Sequence, residues 1–396
     1  MRIALIADAY APLRSSAAIQ LQDLAREMLR QGHEPVVLVP ASDQEQAWRC
    51  ENLDGVQVLR LKALRTKDQS YLRRTLAEFL MPFVMMRSLE QSPYARQHWD
   101  AVVWYSPSIF FGPISRRLKR ASACRSYLIV RDIFPEWAVN MGLMGRGLPY
   151  WFFKQVERFQ YSVADVIGVQ TQANLPYFAA WSGREGRKVE VLQNWLGPAP
   201  RQSCSISLAS GPLAGRKIFV YAGNMGVAQG MGVMLDLAQR LLSRQDIGFV
   251  FVGRGSDAQH LRAQARARAL HNVAFFEEIP PSEIPGLYAQ CHVGLVALDP
   301  RHKTHNIPGK FLSYMQSGIP VLASINPGND LETLILQEQV GQVCVDAAPE
   351  TLQRMAETLV DSLTTDRALG TRCKKLAKRL FSPDAAVRQI IAGLKA

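Results

Sequence analysis

Lys310 is the residue whose type and position most directly imply chemistry in this chain. It stands in His305-Asn-Ile-Pro-Gly-Lys-Phe-Leu-Ser-Tyr-Met-Gln-Ser-Gly-Ile-Pro-Val-Leu-Ala-Ser324, where a loop ends in Pro308-Gly309, a helix closes at Gly318 and a strand starts at Pro320. A cation in the first turn of a helix opposes the helix dipole unless an anion is shared there. The position predicts that Lys310 serves an anionic ligand; the other reading is a lysine that reaches back to solvent.

A second candidate is Tyr221-Ala-Gly-Asn-Met-Gly-Val-Ala-Gln-Gly-Met-Gly232, which joins an expected strand ending at Gly223 to a helix expected from about Met231. Asn224 and Gly226 mark a tight turn, glycine lets ligand oxygens approach the backbone, and a helix N-terminus offers amide donors. The segment reads as a phosphate seat or as a purely architectural turn. Gly253-Arg-Gly-Ser-Asp-Ala258 matches the G-x-G-x-x-[GA] dinucleotide fingerprint, with Glu277 or Glu278 near the acidic position. That fingerprint belongs to the first unit of such a domain, whereas this copy falls in the second. Arg254 inside the turn suits an anionic leaving group equally well.

Arg131-Asp-Ile-Phe-Pro-Glu-Trp137 brings a guanidinium, two carboxylates and an indole to the end of an expected strand. Arg131 and Asp132 either pair with each other or position a hydroxyl nucleophile while Trp137 stacks a sugar ring. Among the seven histidines only His302 and His305 stand at a close spacing, and no Ser-His-Asp order is legible. Neither a metal site nor a hydrolytic triad is expected.

The elements that must hold these residues follow from periodicity. Apolar strand-like runs alternate with helical patterns throughout, which predicts βαβ units and parallel sheets. In the first half the expected strands are 3–8, 36–40, 56–61, 101–106, 127–132, 166–170 and 189–194; in the second they are 218–223, 248–253, 273–277, 293–298, 320–324 and 343–346. The Pro, Ser and Gly-rich stretch 197–215 reads as a linker. The expected division is a Rossmann-like domain over 1–196, the linker, a second Rossmann-like domain over 216–380, and a last helix in 381–396 that can cross back to the first domain. Ligands of open α/β sheets bind beyond the C-terminal strand ends, so the loops of interest follow Asp8, Ser106, Asp132, Gly223, Gly253 and Leu298.

With 46 Lys and Arg against 34 Asp and Glu, the chain carries a net charge of +12, which favours nucleotides, phospholipid surfaces or nucleic acid as partners. Its six cysteines show no C-x-x-C pair, so a reducing cytoplasm is the simplest home. No apolar run approaches the roughly 20 residues needed to span a bilayer, and the N-terminus reads as a strand rather than a signal peptide. From Ser70 to Leu89, apolar Tyr71, Leu72, Leu76, Phe79, Leu80 and Phe83 alternate with Arg73, Arg74 and Arg87. This is either a basic amphipathic segment lying in a headgroup layer or a core-packed crossover helix with a solvated face. Pro82 predicts a kink or two shorter helices.

Taken together, Gly223-Asn-Met-Gly226, Val252-Gly-Arg-Gly255 and Pro308-Gly-Lys-Phe-Leu-Ser-Tyr-Met-Gln-Ser-Gly-Ile-Pro-Val321 resemble the retaining glycosyltransferases of family 4, over essentially the whole chain. Arg131-Asp-Ile-Phe-Pro-Glu-Trp137 and Ser324-Ile-Asn-Pro-Gly-Asn-Asp330 look most like the bacterial O-antigen and capsule N-acetyl-L-fucosaminyltransferases. The resemblance implies the α/β GT-B fold, two facing Rossmann-like doubly wound domains with a cleft between them. It implies a UDP-sugar donor in the second domain, the diphosphate met by Gly223, Asn224, Gly226, Arg254 and Lys310, and the base met near Glu277, Glu278 and Ile279. It further implies a polyprenyl-diphosphate-linked acceptor in the first domain, near Arg131, Asp132, Trp137 and the turn Ser15-Ser16. The enzyme would work without metal or cofactor and without nucleic acid, peripherally at the cytoplasmic face of the inner membrane, touching it through Ser70–Leu89.

The chain departs from the family pattern at several positions. His305 and Ser313 occupy the places of a Glu-x7-Glu pair, moving ribose recognition toward Asp330 or Glu332; Asn224 and Gln229 replace basic residues; Ser15-Ser16 replaces Gly-Gly; Arg131 replaces a histidine. The competing classes are a non-hydrolysing UDP-sugar epimerase, an NAD-dependent oxidoreductase and a catalytically silent partner subunit.

Overall fold

Runs of Val, Ile, Leu and Phe that can bury both faces of a strand build two separate sheets, as parallel βαβ arrangements require. The computed structural model describes residues 1–13, 15–66, 69–198, 203–226, 229–299, 307–346 and 348–395. It divides into unit 1, Met1–Trp195 with Pro383–Ala396, and unit 2, Leu196–Ser382.

Unit 1 holds β1 (Arg2–Ile6), β2 (Glu34–Ala41), β3 (Trp48–Leu53), β4 (Val56–Lys62), β5 (Ala101–Tyr105), β6 (Arg125–Ile129), β7 (Val166–Val169) and β8 (Lys188–Val191). Their order is β3-β4-β2-β1-β5-β6-β7-β8. All neighbours are parallel except β3 and β4. β3 has no counterpart among the expected strands, although its signal is present: Asp54-Gly55, both at positive φ, make the two-residue turn that closes a β-hairpin.

The helix Tyr71–Glu90 is one continuous helix with Pro82 inside it, not two. Its C-terminal half supplies Met81, Met85 and Leu89 to the core. Its N-terminal half is bare: Tyr71 is 90% and Leu72 85% exposed. The core-packed reading therefore holds for the C-terminal half, while the N-terminal half leaves its apolar side chains exposed. The helix Pro383–Lys395 packs on the opposite face of the same sheet, with Val387 and Ile390 buried and Gln389 donating to the Val191 carbonyl at 2.8 Å.

Unit 2 holds β9 (Lys217–Ala222), β10 (Ile247–Val252), β11 (Val273–Phe276), β12 (Val293–Ala297), β13 (Val321–Ser324) and β14 (Gly341–Cys344), all parallel, in the order β11-β10-β9-β12-β13-β14. The stretch expected as a linker is packed onto this unit wherever it is described. Ile206, Leu208 and Leu213 are buried in its core. Gln290 clamps the backbone there, accepting from Leu208 N–H and donating to the Ile206 carbonyl, both at 2.9 Å. Three apolar side chains spread over a Pro- and Ser-rich run have no period, which is why the sequence hides them.

Candidate functional site

Each sheet reverses its build order once, between β1 and β5 in unit 1 and between β9 and β12 in unit 2. At such a switch point the flanking loops diverge and leave a crevice beyond the C-terminal strand ends. Lys310 heads the helix Gly309–Ser317, which follows β12, and so stands at the switch point of unit 2. That helix is fixed from below. Phe311, Leu312, Tyr314 and Met315 are buried, and the Tyr314 hydroxyl donates toward the carbonyls of Val220 at 3.0 Å and Leu295 at 3.2 Å, bridging β9 and β12.

The Lys310 ammonium sits 4.4 Å from the Tyr221 ring centroid, and a Cβ built on Gly223 would come 3.7 Å from its Nζ. Among the described residues no carboxylate or hydrogen-bond acceptor meets it. Half-buried, with the Tyr221 ring as its neighbour, it loses hydration that no anion among the described residues replaces, which pushes its pKa down from the ordinary lysine value to about 8. Tyr221, which the sequence shows only as part of the expected strand ending at Gly223, thus forms one wall of the lysine's environment, while its hydroxyl donates to the Asn224 carbonyl at 2.6 Å.

The glycine turns are built by packing. Gly253 and Gly255 hold φ of 138° and 153°, and a Cβ on either would overlap a backbone carbonyl oxygen, of Gly223 and Met225 respectively. The turns after β9 and β10 are laced together: Gly223 N–H donates to Val252 O at 2.9 Å and Met225 N–H to Arg254 O at 2.8 Å. The dinucleotide-like G-x-G spacing thus has an architectural cause. Gly226 N–H, expected to face a phosphate, is instead taken by Gln229 Oε1 at 2.9 Å, which also accepts from Asn224 Nδ2 at 3.2 Å. Three amides of the expected anion seat are therefore already bonded, and the lysine carries the site's charge.

Arg254 is solvent-exposed and ion-paired with Glu278 at 2.9 Å, while Glu277 pairs with Arg262 at 2.8 Å. Ile279 packs against the core behind them. Ser313 lies one turn beyond Lys310 with its hydroxyl turned back to Gly309 O at 3.4 Å. Asp330 heads the helix Asp330–Glu338 after β13, capped by Asn329, whose side chain accepts from Leu331 N–H at 3.0 Å. His302, His305 and Asn306 lie outside the described residues.

Unit 1 carries a cavity of about 740 Å³ at its own switch point, lined by Asp8, Ser15, Ser108, Phe110, Phe134 and Trp137 among others. Ser15 also caps the helix Ser16–Arg30, accepting from Ala18 N–H at 3.3 Å. Ser16 is the exposed first residue of that helix.

Two family profiles match the sequence: "Glycosyl transferase 4-like domain" over residues 17–195 and "Glycosyl transferases group 1" over residues 216–364. The chain is a group 1 glycosyltransferase, of the retaining family 4 type. This glycosyltransferase is similar to WcaI of Escherichia coli (strain K12), named for colanic acid biosynthesis, at 23% identity with both chains fully covered. It is 24% identical to the glycosyltransferase WbjE of Pseudomonas aeruginosa, over 84% of this chain and 80% of that one. The crystal structure of Anabaena HepE in complex with UDP superposes with a TM-score of 0.65 at 15% identity, covering both chains entirely. The two sheets are those of the GT-B fold.

Arg131 of this glycosyltransferase departs from its expected position on an open lip. It is 8% exposed, stacked 4.7 Å from the Trp195 ring and 5.8 Å from the Tyr105 ring, with Nη1 donating to Leu192 O at 2.8 Å. The reading that Arg131 and Asp132 pair is not met either: among the described residues no ion pair joins them. Burial raises the Asp132 carboxyl above the usual range, with Arg131 pulling it back. The Glu136 carboxylate is committed to Lys154 and to the Tyr150 hydroxyl, each at 2.8 Å, and Lys154 also meets buried Glu157 at 2.8 Å. This network anchors the short helix Glu136–Asn140 that carries Trp137. Among the described residues no cluster of His, Cys, Asp or Glu is arranged to hold a metal, and no helix is long and apolar enough to cross a membrane.

Proposed function

We propose that this glycosyltransferase moves a sugar, an N-acetylated 6-deoxyhexose such as L-FucNAc, from a UDP-sugar to a polyprenyl-diphosphate-linked acceptor in surface polysaccharide biosynthesis. The observation that carries the donor half is Lys310: a half-buried ammonium at a sheet's switch point that meets no carboxylate among the described residues is costly unless an anion arrives to share it. Structures of HepE hold UDP and UDP-glucose, and WcaI is named for colanic acid biosynthesis, which supports the donor and product classes.

In the proposed reaction the bond from the anomeric carbon to the diphosphate oxygen breaks, and the acceptor hydroxyl oxygen bonds to that carbon on the same face. The hydroxyl's proton passes to the departing diphosphate. Lys310 neutralises the charge that develops on the leaving group, and Arg254 joins it by exchanging Glu278 for phosphate. Stabilisation of this kind is commonly the largest catalytic contribution. Asp330 or Glu332 takes the ribose hydroxyls, the backbone at Glu277 to Ile279 meets the base, and neither metal nor cofactor takes part. Unit 1 receives the acceptor in the cavity containing Trp137 and Ser15, and the bare, basic N-terminal half of Tyr71–Glu90 rests on anionic lipid at the cytoplasmic face of the inner membrane.

A thermal-shift titration against UDP, GDP, ADP and NAD tests the donor class. A ligand bound only by the folded state adds about 2.7 kcal/mol at a hundred times its dissociation constant. A shift with UDP alone supports the reading; a shift with GDP changes the donor; a shift with NAD alone refutes it.

A further inference from the structure

Beside the unit 1 cavity lies a second, apolar groove of about 440 Å³, walled by the helices Tyr71–Glu90, Gly112–Ser122 and Leu148–Val163. Phe79, Phe83, Phe110, Phe152, Val156 and Phe159 line it, and Gln155 is its single polar side chain. Its volume falls within the roughly 300–1,000 Å³ of small-molecule sites. Phe79 and Phe83 remain 39% and 46% exposed, an unusual position for two phenylalanines one helical turn apart.

The groove shares a wall with the larger cavity, whose mixed lining adds Asp8, Ser15, Gln69, Arg74, Glu78 and Ser108 to its apolar side chains. Phe110 lines both. A chain of ring contacts runs from one to the other: Trp137 to Phe134 at 6.2 Å, Phe134 to Phe153 at 5.0 Å, Phe153 to Phe152 at 5.3 Å, and Phe152 to Phe79 at 5.7 Å. A ligand filling both spaces needs a polar head and a hydrocarbon tail. A peptide strand fits poorly, because the walls are helices and present no sheet edge to pair with its backbone.

We infer that this groove is a tail site: it takes the first hydrocarbon units of the lipid-linked acceptor, while the larger cavity takes the head. The inference rests on the reading of unit 1 as the acceptor unit. The tail adds affinity through apolar area withdrawn from water, and its course along the aromatic wall orients the head group beside Trp137.

The test uses the full chain and farnesyl phosphate below its micelle concentration, followed by tryptophan fluorescence. Saturable binding is expected, with a dissociation constant raised at least 10-fold by Phe79→Ser/Phe83→Ser and nearly unchanged in Phe83→Met, which keeps the wall apolar. The melting shift with UDP serves as the fold control and should persist in both variants. Absence of saturable binding by the unmodified chain, or equal binding by the double serine variant, overturns the tail site. Loss of binding to phosphatidylglycerol vesicles in that variant, with farnesyl phosphate binding intact, overturns it in favour of bilayer contact. A missing UDP shift in the unmodified chain refutes the donor reading, while farnesyl phosphate binding that depends on Phe79 and Phe83 still supports the tail site.

Discussion

The two switch points of this glycosyltransferase share one sheet topology but present different surroundings to a ligand. In unit 2 the turns after β9 and β10 close on each other until only glycine fits, three of their amides are bonded internally, and Lys310, in the helix after β12, meets no carboxylate or hydrogen-bond acceptor among the described residues. In unit 1 the loops stand apart around some 740 Å³, with aromatic walls and a cation already paired, Arg74 with Glu78 at 2.8 Å. A small, highly charged group is met best by one cation held rigidly in a partly dry setting. A bulky amphiphile is met by area and shape, with polar groups reserved for orientation. The difference lies in what each loop pair leaves unsatisfied.

The largest expected effect tests the unit 2 side of this contrast. Lys310→Ala should lower turnover by about 10²–10³-fold while the melting temperature stays near that of the unmodified chain. Near-normal transfer by a folded variant would remove the lysine from the mechanism.

Gly253→Ala tests whether the G-x-G turn is architecture. The new Cβ has to displace the Gly223 carbonyl and sit at φ near 138°, a cost of roughly 2–4 kcal/mol, seen as an earlier denaturation midpoint. An unchanged midpoint with loss of nicotinamide binding would restore the dinucleotide reading.

Trp137→Ala should sharpen the contrast from the other side. It should raise the acceptor KM about 10-fold, in line with the loss of one aromatic anchor, and leave the UDP-induced melting shift intact. A change in UDP affinity instead would mean that the indole serves the donor.

The pH dependence of the ligand-free chain gives a smaller effect whose sign separates two roles. With Lys310 at about 8 when folded and higher when unfolded, the unfolded chain binds the extra proton between those values. This residue's contribution to stability therefore rises as pH climbs through that window. Donor affinity should move oppositely, falling above pH 8 as the ammonium is lost. UDP titrations at pH 7 and pH 9 read this directly, and equal affinities would sink it. Arg254→Ala should have the least effect, a few-fold in turnover, because the exposed guanidinium is already shared with Glu278 in solvent.

The parallel core of both sheets is legible in the sequence, because apolar runs buried on both faces have few other destinations. The sequence also located Lys310, whose place at a helix start is a local fact. Asp54-Gly55 carries an equally local signal for the antiparallel β3, which stands outside the expected strands. What surrounds each local feature depends on contacts between distant segments. Whether Gly253 and Gly255 face a ligand or a neighbouring turn depends on a backbone 30 residues away in sequence. Arg131 looks like a surface residue until Tyr105 and Trp195 close around it. The bare phenylalanines of Tyr71–Glu90 become a groove only when two other helices supply its walls. Strand and helix propensity is written residue by residue, whereas burial, pairing and cavity shape are properties of which distant segments meet.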